Sequence, residues 1–165
     1  MRLTIENAWW NEGGLWQDSD LSKVRSSPLS YKPVPVTAAE CKLPGILTLR
    51  GPRRAGKTVT LKLLVADLIE KHAWSPRSVT WTSLETFRKL EHVEEHLLDM
   101  EKHFSPKVLI IDEATSVIGW QRVIKKIKDA GHFSKTCIIL TGSSAYDLKA
   151  GAERMAGRRG DIEHP

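Results

Sequence analysis

From residue 45 onward, short apolar runs alternate with longer stretches in which apolar side chains recur every three or four residues. The short runs predict β-strands at 46–49, 79–82, 108–111 and 136–140. The recurring pattern predicts helices at 59–71, 84–104, 120–130 and 145–150, and the first of them presents one apolar face made of Leu61, Leu64, Val65 and Leu68. Strands that alternate with helices predict an α/β fold, in which a parallel sheet carries helices on both faces.

Residues 1–44 show no such periodicity and predict an irregular N-terminal arm, followed by a core at 45–165. The arm is rich in aromatic side chains, namely Trp9, Trp10, Trp16 and Tyr31. Two interpretations follow. The tryptophans pin the arm onto the domain surface, or the aromatic residues, with Tyr31 as the candidate, form a shelf for a nucleotide base. We favour pinning.

The stretch GPRRAGKT at residues 51–58 fits the spacing of a phosphate-binding loop, and it lies between a predicted strand and a predicted helix. Gly51 and Gly56 permit a sharp turn and a close approach of the backbone to a ligand. In such loops the lysine, here Lys57, reaches the β- and γ-phosphates, and the hydroxyl of Thr58 is a Mg²⁺ ligand. The residues expected to contact the nucleotide are Gly51, Pro52, Arg53, Arg54, Ala55, Gly56, Lys57, Thr58 and Val59.

An acidic pair, Asp112 and Glu113, follows the third predicted strand. Parallel α/β sheets present ligands at the carboxyl ends of their strands, so Asp112 is expected to hold Mg²⁺ together with Thr58. Glu113 is expected to orient and deprotonate an attacking water. A solvated acidic pair at a strand end is the plainer alternative, but the phosphate loop favours the catalytic one.

Hydroxyl side chains follow the fourth predicted strand. Thr141 or Ser143 is expected to sense the γ-phosphate or to position the water, and a plain turn with Ser144 as helix cap explains the same residues equally well.

Composition indicates a single globular domain, with 41% hydrophobic and 27% charged residues and a net charge of +5. No apolar run reaches the ~18 residues of a membrane span, and two isolated cysteines fit a reducing, cytoplasmic location. Much of the positive charge lies at Arg53, Arg54 and Lys57 and at Arg154, Arg158 and Arg159. That distribution fits a polyphosphate better than a nucleic acid, for which the sequence offers neither a recognition helix nor a basic stripe.

One further motif points elsewhere. Residues 92–96, HVEEH, match the inverted zinc-protease pattern H-x-x-E-H. Both histidines lie on one predicted helix. Leu90, Val93 and Leu97 form its apolar side, and His92, Asp99 and His103 form a polar stripe. We therefore expect a solvated helix face rather than a zinc enzyme.

Taken together, the motifs GPRRAGKT, LIIDEATSVIGWQR, IILTGSSAYDL and GAERMAGRRG resemble those of prokaryotic AAA-superfamily ATPases, and the likeness covers nearly the whole chain. The resemblance implies ATP with Mg²⁺, the strand order 5-1-4-3-2, hydrolysis through Glu113 and a polar sensor within 141–144. It also implies that Arg154, Arg158 or Arg159 faces the γ-phosphate, in this subunit or in a neighbour. Val59 lies at a position where a second threonine is frequent in the family. We expect this difference to be tolerated, because Thr58 is the expected metal ligand.

The chain ends at Pro165, where similar proteins continue into a fifth strand and a large C-terminal region. We therefore expect the fifth strand to be missing or incomplete and the lid and effector region to be absent. The first strand would then be an exposed edge unless the N-terminal arm covers it.

The function expected is Mg²⁺-dependent ATP hydrolysis that drives a conformational change in a protein partner or a C-terminal domain. The alternatives are an ATP-binding switch with little hydrolysis and a DNA-associated ATPase module. A kinase is disfavoured, because Glu113 supplies a water-activating base that a kinase does not need. A protein partner or self-association is expected, and no membrane.

Overall fold

The computed structural model describes residues 2–27, 36–52, 54–143, 148 and 150. Its sheet contains four strands, β1 (Gly45–Leu49), β2 (Val79–Ser83), β3 (Val108–Asp112) and β4 (Cys137–Thr141). All pairings are parallel and the order is β1-β4-β3-β2. The predicted α/β class is confirmed, and the order of these four strands is the one that the family resemblance implied. The place of a fifth strand along the chain lies outside the described residues, so that prediction stays open.

Three helices follow the first three strands, α3 (Lys57–Glu70), α4 (Leu90–Phe104) and α5 (Trp120–Asp129). The predicted start of α4 at residue 84 is wrong by six residues. The reason is that the buried Leu84 prolongs the pairing of β2, since its N–H donates to the carbonyl of Asp112 at 3.0 Å. Of the predicted helix 145–150, only Leu148 and Ala150 are described, and both are helical.

Apolar side chains leave the sheet on both faces, as the alternation along β3 illustrates. Leu109 and Ile111 pack with α4 and α5, whereas Val108 and Ile110 pack with α3 and the N-terminal segment. The prediction of helices on both faces is therefore confirmed. None of the described helices is both long and apolar enough to span a membrane.

The N-terminal segment is more ordered than its sequence pattern predicted, because it contains two helices, α1 (Arg2–Glu6) and α2 (Ser19–Ser26). Asp18 caps α2, and its carboxylate accepts hydrogen bonds from the N–H groups of Asp20 and Leu21 at 2.9 and 3.2 Å. Leu21 is fully buried and Trp9 is 2% exposed, so this segment is part of the hydrophobic core. The prediction of an irregular arm is wrong for these two stretches, whereas pinning by the tryptophans is confirmed.

The same segment covers one edge of the sheet. The side-chain amide of Asn7 donates to the carbonyl of Trp81 at 2.8 Å, and its oxygen accepts the Trp81 N–H at 2.6 Å. The indole N–H groups of Trp9 and Trp10 donate to the carbonyl of Val79 at 3.0 and 3.1 Å. Because Val79 and Trp81 lie on β2, the covered edge is that of β2 rather than that of β1.

Candidate nucleotide site

The predicted phosphate loop connects β1 to α3 at the end of the sheet where the strands have their carboxyl termini. Gly56 directly precedes the helix with φ +80°, a left-handed conformation that L side chains rarely adopt. A side chain at Gly51 would make only ordinary contacts, 3.6 Å from Ala55 Cβ, so the observed backbone itself does not require glycine there. The first N–H groups of α3 have no acceptors within the helix, and the helix dipole adds positive charge at this end.

Lys57 is the first residue of α3, and its side chain folds back across the loop. The residue is only 8% exposed, and Nζ donates to the carbonyl oxygens of Gly51 and Pro52 at 2.9 Å each. The ammonium group is therefore held inside the curve of the loop, in a fixed position for an anion. Arg54, with φ +61°, and Ala55 are exposed on the outer side of the loop.

The two predicted metal ligands lie in direct contact across the gap between α3 and β3. The hydroxyl of Thr58 donates to Asp112 Oδ2 at 3.0 Å. The other carboxylate oxygen of Asp112 accepts a short hydrogen bond from the Thr141 hydroxyl at the end of β4. Asp112 is 7% exposed and Thr141 is fully buried, so both side chains are held in one geometry by the sheet.

Glu113 continues the same network. Its N–H donates to Thr141 Oγ1 at 3.2 Å, and its carboxylate oxygen Oε2 accepts the N–H of Ser143 at 3.0 Å. Its φ of +51° is unusual for a residue other than glycine, and such strained backbones concentrate at functional sites. The ends of β3 and β4 and the start of α3 thus bring together Lys57, Thr58, Asp112, Glu113, Thr141 and Ser143.

A glycine that the sequence argument passed over is needed for this arrangement. A Cβ at Gly142 would lie 2.5 Å from Cγ2 and 3.0 Å from Cβ of Thr115, in the turn that follows Glu113. The end of β4 therefore lies so close to this turn that a side chain at position 142 would require Thr115 to shift. The only sequence signal is the position of the glycine, between the two hydroxyl residues Thr141 and Ser143.

The N-terminal segment also contributes to the site, which the sequence pattern did not predict. A cavity of about 290 Å³ is lined by Thr58 and Asp112 on one side and by Glu6, Gln17 and Asp18 on the other. The wall next to the candidate metal ligands is therefore made by residues that are 40 or more positions earlier in the chain.

Lys62, one turn after Thr58 on α3, fastens this wall in place. Its Nζ lies 2.8 Å from Asp18 Oδ2 and 2.7 Å from Asp20 Oδ2. Burial lowers the pKa of Lys62, but hydrogen bonds to the two carboxylates outweigh that effect, and the net result is a raised pKa. The ammonium form is thus the one that the folded protein favours.

The zinc-protease motif is not assembled into a metal site. His96 Nε2 lies 2.8 Å from the hydroxyl of Thr82, and its ring packs against Phe87, whereas His92 is exposed. Within the described part of the chain, no group of three or more His, Cys, Asp or Glu side chains is placed to hold a metal ion. The expectation of a solvated helix face agrees with this placement for His92.

Several predicted residues lie outside the described ranges, so their roles stay predictions. They are Tyr31, Arg53, Ser144, Arg154, Arg158 and Arg159.

The chemistry of the assembled groups fits a magnesium nucleotide. A hydroxyl and a carboxylate oxygen at 3.0 Å form a pair of the hard oxygen ligands that Mg²⁺ prefers, and the loop adds an ammonium group and a helix N-terminus for phosphates. A parallel sheet that feeds such a loop into a helix defines a phosphate-binding-loop domain of the nucleotide-binding α/β class. The chain belongs to the AAA domain family, whose model matches residues 44–165. It therefore carries a nucleotide-binding domain of the ATPase type. No curated protein matched the sequence.

Proposed function

We propose that the chain is the catalytic core of a Mg²⁺-dependent ATPase and that hydrolysis drives a conformational change in a protein partner or a C-terminal domain. The observation that carries the proposal is the continuous set of hydrogen bonds from Thr58 through Asp112 and Thr141 to Glu113. This network joins the predicted metal ligands to the backbone N–H of the residue that carries the predicted base.

Each residue has a role that its position supports. Lys57 binds the β- and γ-phosphates from within the loop. Thr58 and Asp112 would hold Mg²⁺, which would supply positive charge to the phosphate oxygens. Glu113 accepts the proton of the attacking water, for which it has Oε1, the oxygen that the Ser143 N–H does not occupy. Thr141 fixes the orientation of the Asp112 carboxylate and accepts the backbone N–H of Glu113, and Ser143 senses the γ-phosphate beside Glu113.

The hydrogen bond from Ser143 also favours a second candidate function, an ATP-binding switch. That bond holds one oxygen of the Glu113 carboxylate against the backbone after β4 and so restricts the side chain's approach to a water. If that contact persists when ATP is bound, turnover is slow, and the bound nucleotide itself sets the state of the protein.

The test is phosphate release from Mg·ATP together with nucleotide affinity. Glu113→Gln is expected to reduce release about a hundredfold or more, the usual contribution of a general base, with ATP affinity retained. Glu95→Gln on the exposed surface of α4 is the matched control and should behave as the wild type. Lys57→Ala is expected to lose both binding and release.

The outcomes separate the candidates. Tight binding without release in the wild type favours the switch. Equal loss of binding and release in Glu113→Gln contradicts the role of Glu113 as a base, and no nucleotide binding at all contradicts both functions.

A further inference from the structure

A second cavity, of about 670 Å³, lies at the opposite end of the sheet from the nucleotide site. Its lining comes from the residues that precede β1, β3 and β4, from Trp74 ahead of β2, and from the end of α4. Sheets of this class present their nucleotide at the carboxyl ends of the strands, so the function proposed above makes no use of this cavity. Its size is within the range of about 300–1,000 Å³ that small-molecule sites occupy.

The rim of this cavity is positively charged. Lys42, Lys107 and Lys135 line it, all three are exposed, and none forms an ion pair with a described residue. The single carboxylate in the lining, Glu101, is already engaged, because Oε2 lies 2.6 Å from His132 Nδ1 and Oε1 accepts the N–H of Phe133. Three ammonium groups therefore line the cavity together with one carboxylate that is already hydrogen-bonded, and this net positive charge favours an anionic ligand.

Part of the cavity wall is apolar and aromatic. Trp74 is half-buried, and the ammonium of Lys107 lies 5.7 Å from the centre of its indole ring. Phe133 and Cys41, 1% and 2% exposed, belong to the buried part of the lining. A flat ring that packs on the indole would place an attached negative group beside Lys107.

The geometry points to a site for phosphorylated nucleosides, in which the base packs against Trp74 and the phosphates bind Lys42, Lys107 and Lys135. Aromatic platforms flanked by lysines are the means by which proteins hold single-stranded nucleic acid without reading its sequence. A free nucleotide offers the same two groups, so the source of the ligand is either a single strand or a mononucleotide. An acidic peptide supplies the charge but no ring for Trp74.

The experiment measures binding of a fluorescein-labelled strand of about ten thymidines by anisotropy, with saturating Mg·ADP present to fill the other site. Lys107→Glu/Lys135→Glu is expected to weaken binding at least about tenfold and to reduce the salt dependence of log K by about 0.7 for each lysine. Lys23→Glu/Lys125→Glu, which changes two exposed lysines elsewhere by the same charge, is the control and should retain affinity.

Trp74 gives an independent readout. Trp74→Ala is expected to weaken binding about tenfold with the salt slope unchanged, and Trp74→Phe should restore most of the affinity. Competition by thymidine monophosphate that depends on the same lysines would identify a free nucleotide as the source, whereas binding of the strand alone would identify nucleic acid. Both results support the site.

Three results would overturn the inference: no binding of either ligand, equal losses in the control double variant, or displacement of the strand by poly-glutamate but not by nucleotides. Failure of this site is distinct from failure of the ATPase proposal, because Lys57→Ala should keep strand binding and Lys107→Glu/Lys135→Glu should keep phosphate release.

Discussion

The two outer strands of the sheet, β2 and β1, have opposite surroundings. On β2, the backbone groups that point away from the sheet at Val79 and Trp81 bond to Asn7, Trp9 and Trp10. On β1, the N–H of Gly45 donates to Thr136, so Ile46 and Thr48 point away from the sheet, and no described residue bonds to their backbone. Side chains thus protect β2, whereas no described residue protects β1.

This difference teaches that an edge can be closed without another strand. The amide of Asn7 supplies one donor and one acceptor, which is what a neighbouring strand would offer at Trp81. Because a side chain does not continue the ladder, the edge is closed against further strand pairing. The same segment lines the cavity beside Thr58 and Asp112, so closing the edge also completes a wall of the nucleotide site.

The largest effect on stability is expected when the N-terminal segment, which covers the edge of β2, cannot form its turn at Gly14. A Cβ at Gly14 would lie 2.0 Å from the carbonyl oxygen of Ala8. Gly14→Ala should therefore displace the segment and lower the free energy of unfolding by about 3 kcal/mol. Gly13→Ala, where φ is +68° but no atom lies within 4 Å of the new Cβ, should cost only about 1 kcal/mol. Urea unfolding measures both, and equal losses would contradict the packing of this turn.

Removing the side-chain amide of Asn7 should leave the outer edge of β2 without hydrogen-bond partners at Trp81, as the outer edge of β1 is among the described residues. Asn7→Ala leaves the N–H and the carbonyl of Trp81 without partners and should lower stability by about 2 kcal/mol. It should also promote self-association through the opened edge, measurable by sedimentation. Asn11→Ala, at an exposed position of the same segment, serves as the control. A monomer of unchanged stability would show that Asn7 does not protect the edge.

Breaking the contact between the N-terminal segment and α3 tests whether the covered edge of β2 and the nucleotide site depend on each other. Lys62→Met should lower stability by about 1.5 kcal/mol at neutral pH and weaken nucleotide binding, because the wall formed by Asp18 loosens. Since the pKa of Lys62 is raised above 10.5 in the folded protein, its contribution is complete below that pH and is lost as pH rises through the folded-state pKa. The stability difference between wild type and variant should therefore shrink at strongly alkaline pH. If the stability difference between wild type and variant did not change with pH, the ion pairs of Lys62 with Asp18 and Asp20 would be contradicted.

The smallest effects are expected from the two indoles, because they share one acceptor. Trp10→Phe should cost about 0.5 kcal/mol, since the indole of Trp9 still donates to the carbonyl of Val79. Trp9→Phe should cost about 1 kcal/mol, because the smaller ring also leaves space in the core around this buried position. The double variant leaves that carbonyl without a partner and should cost more than the sum. A double-mutant cycle by chemical denaturation measures the excess, and strict additivity would mean that the two bonds are independent.

Much of the fold and of the site was predictable from local patterns. Apolar runs predicted the strands, and the loop motif together with the acidic pair predicted which residues meet at the carboxyl end of the sheet. The start of α4 was not predictable, because Leu84 pairs with the carbonyl of Asp112, a contact between residues far apart in the chain. The lysines of the second cavity were missed for the same reason, since Lys42, Lys107 and Lys135 form no stripe in the sequence.

The sequence by itself determined the parallel α/β architecture and the position of the loop between β1 and α3, because both rest on periodicity and spacing within short stretches. Only the tertiary structure decided that the N-terminal segment covers the edge of β2 and lines the nucleotide site. It also decided that three lysines surround a cavity at the other end of the sheet. The physical reason is that a side chain such as Asn7 carries no local sign of its partner. Its role follows from Trp81, whose N–H and carbonyl point away from the sheet and bond to the Asn7 side chain instead of another strand. Trp81 lies 74 residues further along the chain.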